Sequence, residues 1–355
     1  MLLHPTTACR RIVQAAGIVN RLALKLADQT AATTGHRRSA SSGPVSFSLW
    51  LTEVLAIQRQ PIVLRVSRRI ARLRCMSQPI SADLVGLELP PVQTSWNEKD
   101  VMLYALGVGA RPPGDLDFVY EGCGPVALPT YGVIPGLMAA MGGVFGEVEV
   151  NPTMILHGEQ SITCHRTLPP RAAVEIYGQI TEVWDKGEAA VLGFEVTASD
   201  GDDDLFTTRA TLFVRGAGGF GGERGPSTTG KNEPPDRDPD VVIQYETRAE
   251  QAAIYRLSGD RSPLHIDPEF AMMGGFDAPF NHGLCTFGFV GRAVLAGVFG
   301  GDVDAFGALE GRFADQVWPE DTIISRIWSD DDGAIVEAST QKGNVVLSQA
   351  RATAR

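Results

Sequence analysis

The chain has 355 residues, room for two compact domains and at most three, and its 44% apolar and 21% charged content is that of a globular protein rather than a disordered or fibrous one. The net charge of −11 is uneven: residues 1–75 carry 12 Lys/Arg against 2 acids, a net of +10, which leaves −21 for the rest. So acidic a body excludes nucleic acid as a partner, because phosphate contacts need clustered Lys/Arg, and an anionic substrate has to be held by local donors.

No apolar run reaches the roughly 18 residues that a membrane helix needs. Cys9, Cys75, Cys123, Cys164 and Cys285 are odd in number and lack C-x-x-C spacing. They argue against a disulfide framework or a zinc site, and for a reducing compartment.

Residues 1–75 are Arg-rich and acid-poor, with Ser clusters such as Ser39-Ala-Ser-Ser-Gly43. They read either as an organellar transit segment or as a stretch upstream of the true start, since Met76 opens a sequence of different character. Neither reading gives them a catalytic role. The protein is expected in the cytoplasm, or in an organelle if the segment is a transit peptide.

The first folded unit is expected over 76–215. Trp96–Leu106 has helical spacing, with Val101, Tyr104 and Ala105 on one face. Gly107–Gly114 breaks it, and its two close glycines are no dinucleotide fingerprint, because no strand precedes them. After Tyr120-Glu-Gly-Cys-Gly124, the small and apolar run Pro129–Gly142 predicts a helix buried on nearly every side. Four strand-like runs follow, Met154–Ile162, Ala173–Asp185, Ala189–Ala198 and Phe206–Val214, with turn residues between them. One buried helix and an antiparallel meander suggest a sheet wrapped round a helix.

Residues 216–240 hold seven Gly and four Pro and read as a flexible interdomain linker. Gly218-Gly-Phe-Gly-Gly222 within it is better explained that way than as a phosphate-binding loop.

Residues 241–355 then repeat the plan. Tyr104-Ala-Leu-Gly107 matches Tyr255-Arg-Leu-Ser258 at an offset of 151 residues. The apolar helix recurs from Asn281-His-Gly283 to Leu295. The strands recur as Leu309–Val317, Asp321–Trp328, Ala334–Thr340 and Val345–Ala352. An internal duplication of this length implies two similar helix-in-sheet units. Sliding Asp260 and His265 back by the offset lands on Gly109 and Gly114, so only the second copy carries the acid and the imidazole.

That acid and imidazole lie in Tyr255-Arg-Leu-Ser-Gly-Asp-Arg-Ser-Pro-Leu-His-Ile-Asp-Pro268. Pro263 between them forbids a continuous helix and predicts a rigid irregular loop. Taken singly, Asp260 reads as a turn residue, His265 as a structural histidine, Glu121 as a surface carboxylate, Lys186 as a hairpin tip and His282 as a residue that orients its turn. Together with Asn281-His-Gly-Leu-Cys-Thr-Phe-Gly288, Leu156-His-Gly-Glu-Gln160 and Asp185-Lys-Gly187, they closely resemble the (R)-specific 2-enoyl-CoA hydratases, the hydratase-2 enzymes of the MaoC-like group. The resemblance covers about 90–355.

This resemblance implies an α+β double hot-dog fold, two antiparallel sheets each wrapped round a central helix. It implies reversible syn addition of water to a trans-2-enoyl-CoA, with Asp260, His265 and Glu121 as catalytic groups. It carries substrate contacts to His157, Gly158, Lys186, Gly283 and Phe313, and to Arg261 and Ser262 of the loop. It implies no metal and no cofactor besides the CoA thioester substrate, no membrane or nucleic-acid partner, and a homodimer as one allowed assembly. Ser262 departs from the Asn usual in the family and reaches less far. The first copy is expected to act as a substrate channel. Two alternatives stay open: a dehydratase of acyl-carrier-protein thioesters, and a non-catalytic acyl-CoA-binding subunit.

The chemistry asks for these residue types. An imidazole near its ordinary pKa can take a proton from water, and a carboxyl group in a water-poor site can deliver one. The Gly283 N–H, at a helix start, is a natural donor to a thioester oxygen that gains negative charge.

Overall fold

The computed structural model describes residues 77–355 apart from Asp202, so the reading of 1–75 lies outside the described residues. The first half consists of β1 (Glu88–Trp96), α1 (Glu98–Gly107), α2 (Val133–Glu147), β2 (Ile155–Cys164), β3 (Ala172–Asp185), β4 (Ala189–Ser199) and β5 (Asp204–Arg215). The second half has β6 (Val241–Glu246), α3 (Gln251–Tyr255), α4 (Pro268–Met273), α5 (Gly283–Gly297), β7 (Phe306–Phe313), β8 (Thr322–Asp330), β9 (Gly333–Thr340) and β10 (Val345–Ala354). The eight expected strands all form. β7 begins three residues earlier than its apolar pattern suggests and ends at Phe313, so 314–317 leave the strand.

The two unforeseen strands, β1 and β6, are the two edges of the sheet, whose order is β1-β3-β4-β5-β2-β7-β10-β9-β8-β6. β1 carries Pro90-Pro91, and its register with β3 slips between Leu89 and Val92. Proline removes a ladder donor, so an edge strand is where a sheet tolerates it. The two antiparallel sheets of the double hot-dog are continuous, because β2 pairs with β7 through Gln160↔Gly311, Ser161↔Glu310 and Ile162↔Leu309. The order is symmetric about that seam, as a duplicated unit requires.

Each half contributes one 15-residue helix to the core. From Leu284 to Leu295 every residue of α5 is buried, as an all-round apolar helix demands. Asn97 starts α1 with a capping box: its Oδ1 accepts from Lys99 N–H at 3.0 Å, while its own N–H donates to Asp100 at 3.0 Å. Val101, Tyr104 and Ala105 are buried. The duplication is visible in packing: Tyr104 packs edge-on to Tyr131 at 5.5 Å, Tyr255 packs at a tilt against His282 at 4.9 Å, and the two tyrosine rings lie 6.1 Å apart.

Residues 216–240 differ from the flexible linker expected. The Asp185 carboxylate, at the end of β3, accepts N–H groups from Gly187, Gly219 and Gly221 at 2.8–2.9 Å. Those donors hold its pKa near 2. Further on, Asn232 donates to Glu310 and to the Gln349 carbonyl, and the Trp328 indole donates to the Arg237 carbonyl. The segment is a strap hydrogen-bonded to both halves. Its glycines are there for backbone donors and tight turns more than for looseness.

Candidate active site

The loop from Arg256 to Asp267 is built from two short turns, Arg256–Ser258 and Pro263–His265, on either side of an extended stretch. Gly259 has φ +150°, and a Cβ there would stand 2.9 Å from Ile134 Cγ2 of α2, so the loop seats against the first half of the chain where only glycine fits. Asp260 Oδ1 accepts the Ser262 N–H at 3.2 Å, and Asp267 ends the loop by capping α4 through the Glu269 N–H at 2.9 Å.

His265 Nδ1 lies 2.9 Å from the Phe280 carbonyl. A carbonyl only accepts, so Nδ1 carries the proton and Nε2 keeps its lone pair. Burial lowers the pKa of His265, and the negative charge of Asp260 opposes that shift only in part. Its imidazole is therefore neutral at neutral pH. Nε2, on the far side of the ring from that anchor, is left with a lone pair that can take a proton.

His282 and Gly283 come to the loop from the start of α5. The His282 ring is stacked on His265 with centroids 3.9 Å apart, and its Nε2 reaches the Asp260 carbonyl at 3.1 Å. Gly283 opens the helix, so its N–H has no acceptor one turn back. A Cβ at Gly283 would lie 3.3 Å from the Phe313 ring. His157 of β2 packs edge-on to that ring at 4.9 Å. Burial pushes the His157 pKa down to about 4, and Asp260 lies near enough to oppose the shift. Gly158 sits at the register slip of β2 against β5, close beside Thr211. One site thus draws on both halves: His157 and Gly158 from the first, Asp260, Ser262, His265, Gly283 and Phe313 from the second.

Three further expected residues make no hydrogen bond or ion pair to Asp260 or His265 among the described residues. The Glu121 carboxylate, in an exposed turn, forms no hydrogen bond or ion pair with any described residue. Lys186 donates Nζ–H to the Arg224 carbonyl of the strap, at the tip of the β3–β4 hairpin. Arg261 is exposed and forms no ion pair among the described residues. Conversely, the stacking of His282 on the base goes beyond the turn-orienting role its sequence position suggests. Its place next to Gly283 was the available signal.

Beside the loop, the face of α2 turned away from the sheet is open. Met138 is 37% exposed, and nothing lies within 4 Å of a Cβ built at Gly142 or Gly146. Met138 Cγ is 3.5 Å from the Cβ position of Gly259, so this apolar face begins at the Arg256–Asp267 loop.

Comparison with known proteins agrees with this geometry. The family "MFE-2 hydratase 2 N-terminal domain" matches residues 95–216, and "MaoC like domain" matches 231–350. Enoyl-CoA hydratase ChsH3 of Mycobacterium tuberculosis is 37% identical over 281 residues, 76% of this chain and 97% of its own. The peroxisomal multifunctional enzyme type 2 of Mus musculus is 40% identical, but only 37% of its length is matched. A MaoC-like dehydratase from Phytophthora capsici superposes with a TM-score of 0.69 at 29% identity, over 78% of this chain and 98% of that one. No helix among the described residues is long and apolar enough to cross a membrane. The chain belongs to the MaoC-like hydratase 2 family.

Proposed function

We propose that the protein catalyses reversible syn hydration of a trans-2-enoyl-CoA to the (3R)-3-hydroxyacyl-CoA in fatty-acid metabolism. The observation that carries this is the pairing, on one rigid loop, of the Asp260 carboxyl with a neutral His265 whose Nε2 lone pair is free, beside the unpaired N–H at the start of α5.

His265 Nε2 takes a proton from water as the oxygen bonds to C3. The Gly283 N–H receives the negative charge that moves onto the thioester oxygen, a contribution of about 3 kcal/mol for one such donor. Asp260, on the same loop and so on the same face of the alkene, delivers a proton to C2, and the proton held on His265 Nε2 then returns to the Asp260 carboxylate, restoring both groups. Dehydration runs the same steps backwards. Phe313 and His157 wall the site, and the open face of α2 takes the acyl tail. No step is routed through Glu121, Lys186 or Arg261. We place the reaction in the cytoplasm, or in an organelle if residues 1–75 act as a transit segment.

The test is the loss of enoyl-thioester absorbance with purified protein, followed by chiral analysis. Asp260→Asn should lower kcat/KM by about 10³-fold. Unchanged turnover in that variant sinks the assignment, and a 3S product refutes the stereochemistry. Faster turnover of acyl-carrier-protein thioesters than of CoA thioesters would move the substrate class to the dehydratase alternative.

A further inference from the structure

His282 belongs to no step above, yet its surroundings are unusual. It is 1% exposed. Its Nε2 is held to the backbone carbonyl of Asp260, the acid, while its ring lies on His265, the base, with an interplanar angle of 35°. The Tyr255 ring also packs against it, 4.9 Å away, and its Nδ1 meets no partner among the described residues. A carbonyl requires a donor, so Nε2 bears the proton, and Nδ1 is the bare nitrogen.

We infer that His282 is a positioning residue that ties the two catalytic groups together: it fixes the Asp260 backbone through Nε2–H and covers one face of His265 with a neutral ring. This rests on the functional reading above. The inference goes beyond that reading in assigning one side chain two separable tasks, anchoring the acid and shielding the base.

The shielding task has a pH consequence. Water kept off one face of His265 disfavours its imidazolium. The charged and titratable groups facing the pair are Asp260 and Arg256 of the loop, Tyr255 of α3, Cys285 of α5 beside Tyr255, and His157 of β2 beyond Asp260. Of these, Asp260 favours a protonated His265, while burial opposes it and dominates. His282 is itself driven well below the ordinary histidine range, by burial first and by His265 second, so it stays neutral where free histidine titrates.

Two substitutions separate the tasks. His282→Phe keeps a flat ring on His265 but cannot donate to Asp260. It should lower kcat by about 10- to 100-fold, with KM and the acid limb of the pH profile near wild type. His282→Gln keeps a donor but removes the ring. It should lower kcat less and move the acid limb of kcat/KM upward by about half a pH unit or more. Wild-type kcat and pH profile in both variants, or a fall in thermal stability alone, would overturn the role.

Nitrogen NMR of the wild-type histidine rings tests the same point without a variant. At pH 6 His282 should be neutral with its proton on Nε2, and an imidazolium or an Nδ1–H tautomer would overturn the inference. That readout needs no turnover. Failure of wild type to hydrate enoyl-CoA would strike the functional reading, whereas a wrong tautomer would strike this one.

Discussion

The loop after α1 and the loop after α3 lie 151 residues apart and face opposite core helices, and the helices treat them differently. In the first, a Cβ at Gly109 would stand 2.2 Å from the Phe289 ring of α5. Arg292, one turn further along α5 and 5% exposed, donates to the Val108 carbonyl at 3.1 Å and to Asp115 at 2.8 Å, and stacks over Tyr245 at 4.4 Å. In the second, the residues of α2 at the same offset are Met138 and Met141, and Met138 is exposed. A large ring and a buried cation fill the space over the first loop. Two thioethers leave the space over the second one open. The first loop is thereby packed shut. In the proposed reaction the room for substrate comes from the first copy's helix, α2, rather than from its loop, so the channel expected of the first copy would run along that helix.

The largest effect should come from the pair of positions that the offset aligns at the base. His265→Ala should cost about 10³-fold in kcat/KM, while Gly114→Ala, with nothing within 4 Å of the new Cβ, should leave kcat/KM intact and stability within about 1 kcal/mol. Equal losses of activity in the two variants would break the comparison.

Next comes Gly109→Ala. Its φ of +83° disfavours an L side chain, and the methyl group collides with Phe289, so the two penalties together should cost about 3 kcal/mol in a denaturant titration. Turnover per folded molecule should survive. If turnover vanished at wild-type stability, the first loop would be part of the site.

Arg292→Met, which gives α5 the residue found on α2, should cost somewhat less, about 2 kcal/mol. The Asp115 side chain is 24% exposed, so water and the Arg111 N–H, 2.6 Å away, soften the loss of the cation. An unchanged unfolding midpoint would show that the first loop is closed by Phe289 alone.

How much of this could be read from residues alone follows from what each residue's letter encodes. Alternating apolar strands and all-round apolar helices bury in predictable ways, so eight strands, both core helices and the duplication were legible. β1 was not, because Pro90-Pro91 argues against a strand unless one knows that it lies at an edge. β6, Val241–Glu246, follows directly on the Gly/Pro-rich strap as a short second edge with no fully buried residue to mark it. The anchoring of the strap is not legible in its composition, because Gly219 and Gly221 serve as backbone donors to Asp185. At the site, the acid, the imidazole and the proline between them marked the loop. The tautomer of His265 was hidden, since it depends on which way the Phe280 carbonyl points. The engagement of Lys186 by the Arg224 carbonyl was hidden for the same reason.

The smallest expected effect is the one that bears most directly on why the two loops differ. Met138→Phe gives α2 the ring that closes the other copy. Met138 Cγ is 3.5 Å from the Cβ position of Gly259, so a rigid ring at 138 would stand over the mouth of the catalytic loop without touching His265, which is anchored from the far side by Phe280. The chemistry should persist for a short acyl chain, because the acid, the base and the Gly283 N–H are unmoved. On the proposed path a long chain lies along the α2 face past residue 138, and it would lose both space and contact there. KM for long-chain enoyl-CoA should therefore rise about tenfold, equivalent to about 1.4 kcal/mol, with kcat for the short chain held. An equal rise for both chain lengths would mean that the ring has displaced the loop itself. No rise for either would mean that the acyl tail leaves the site by a path that does not follow α2, and that the open face of this helix does not explain why the second loop kept its acid and its base.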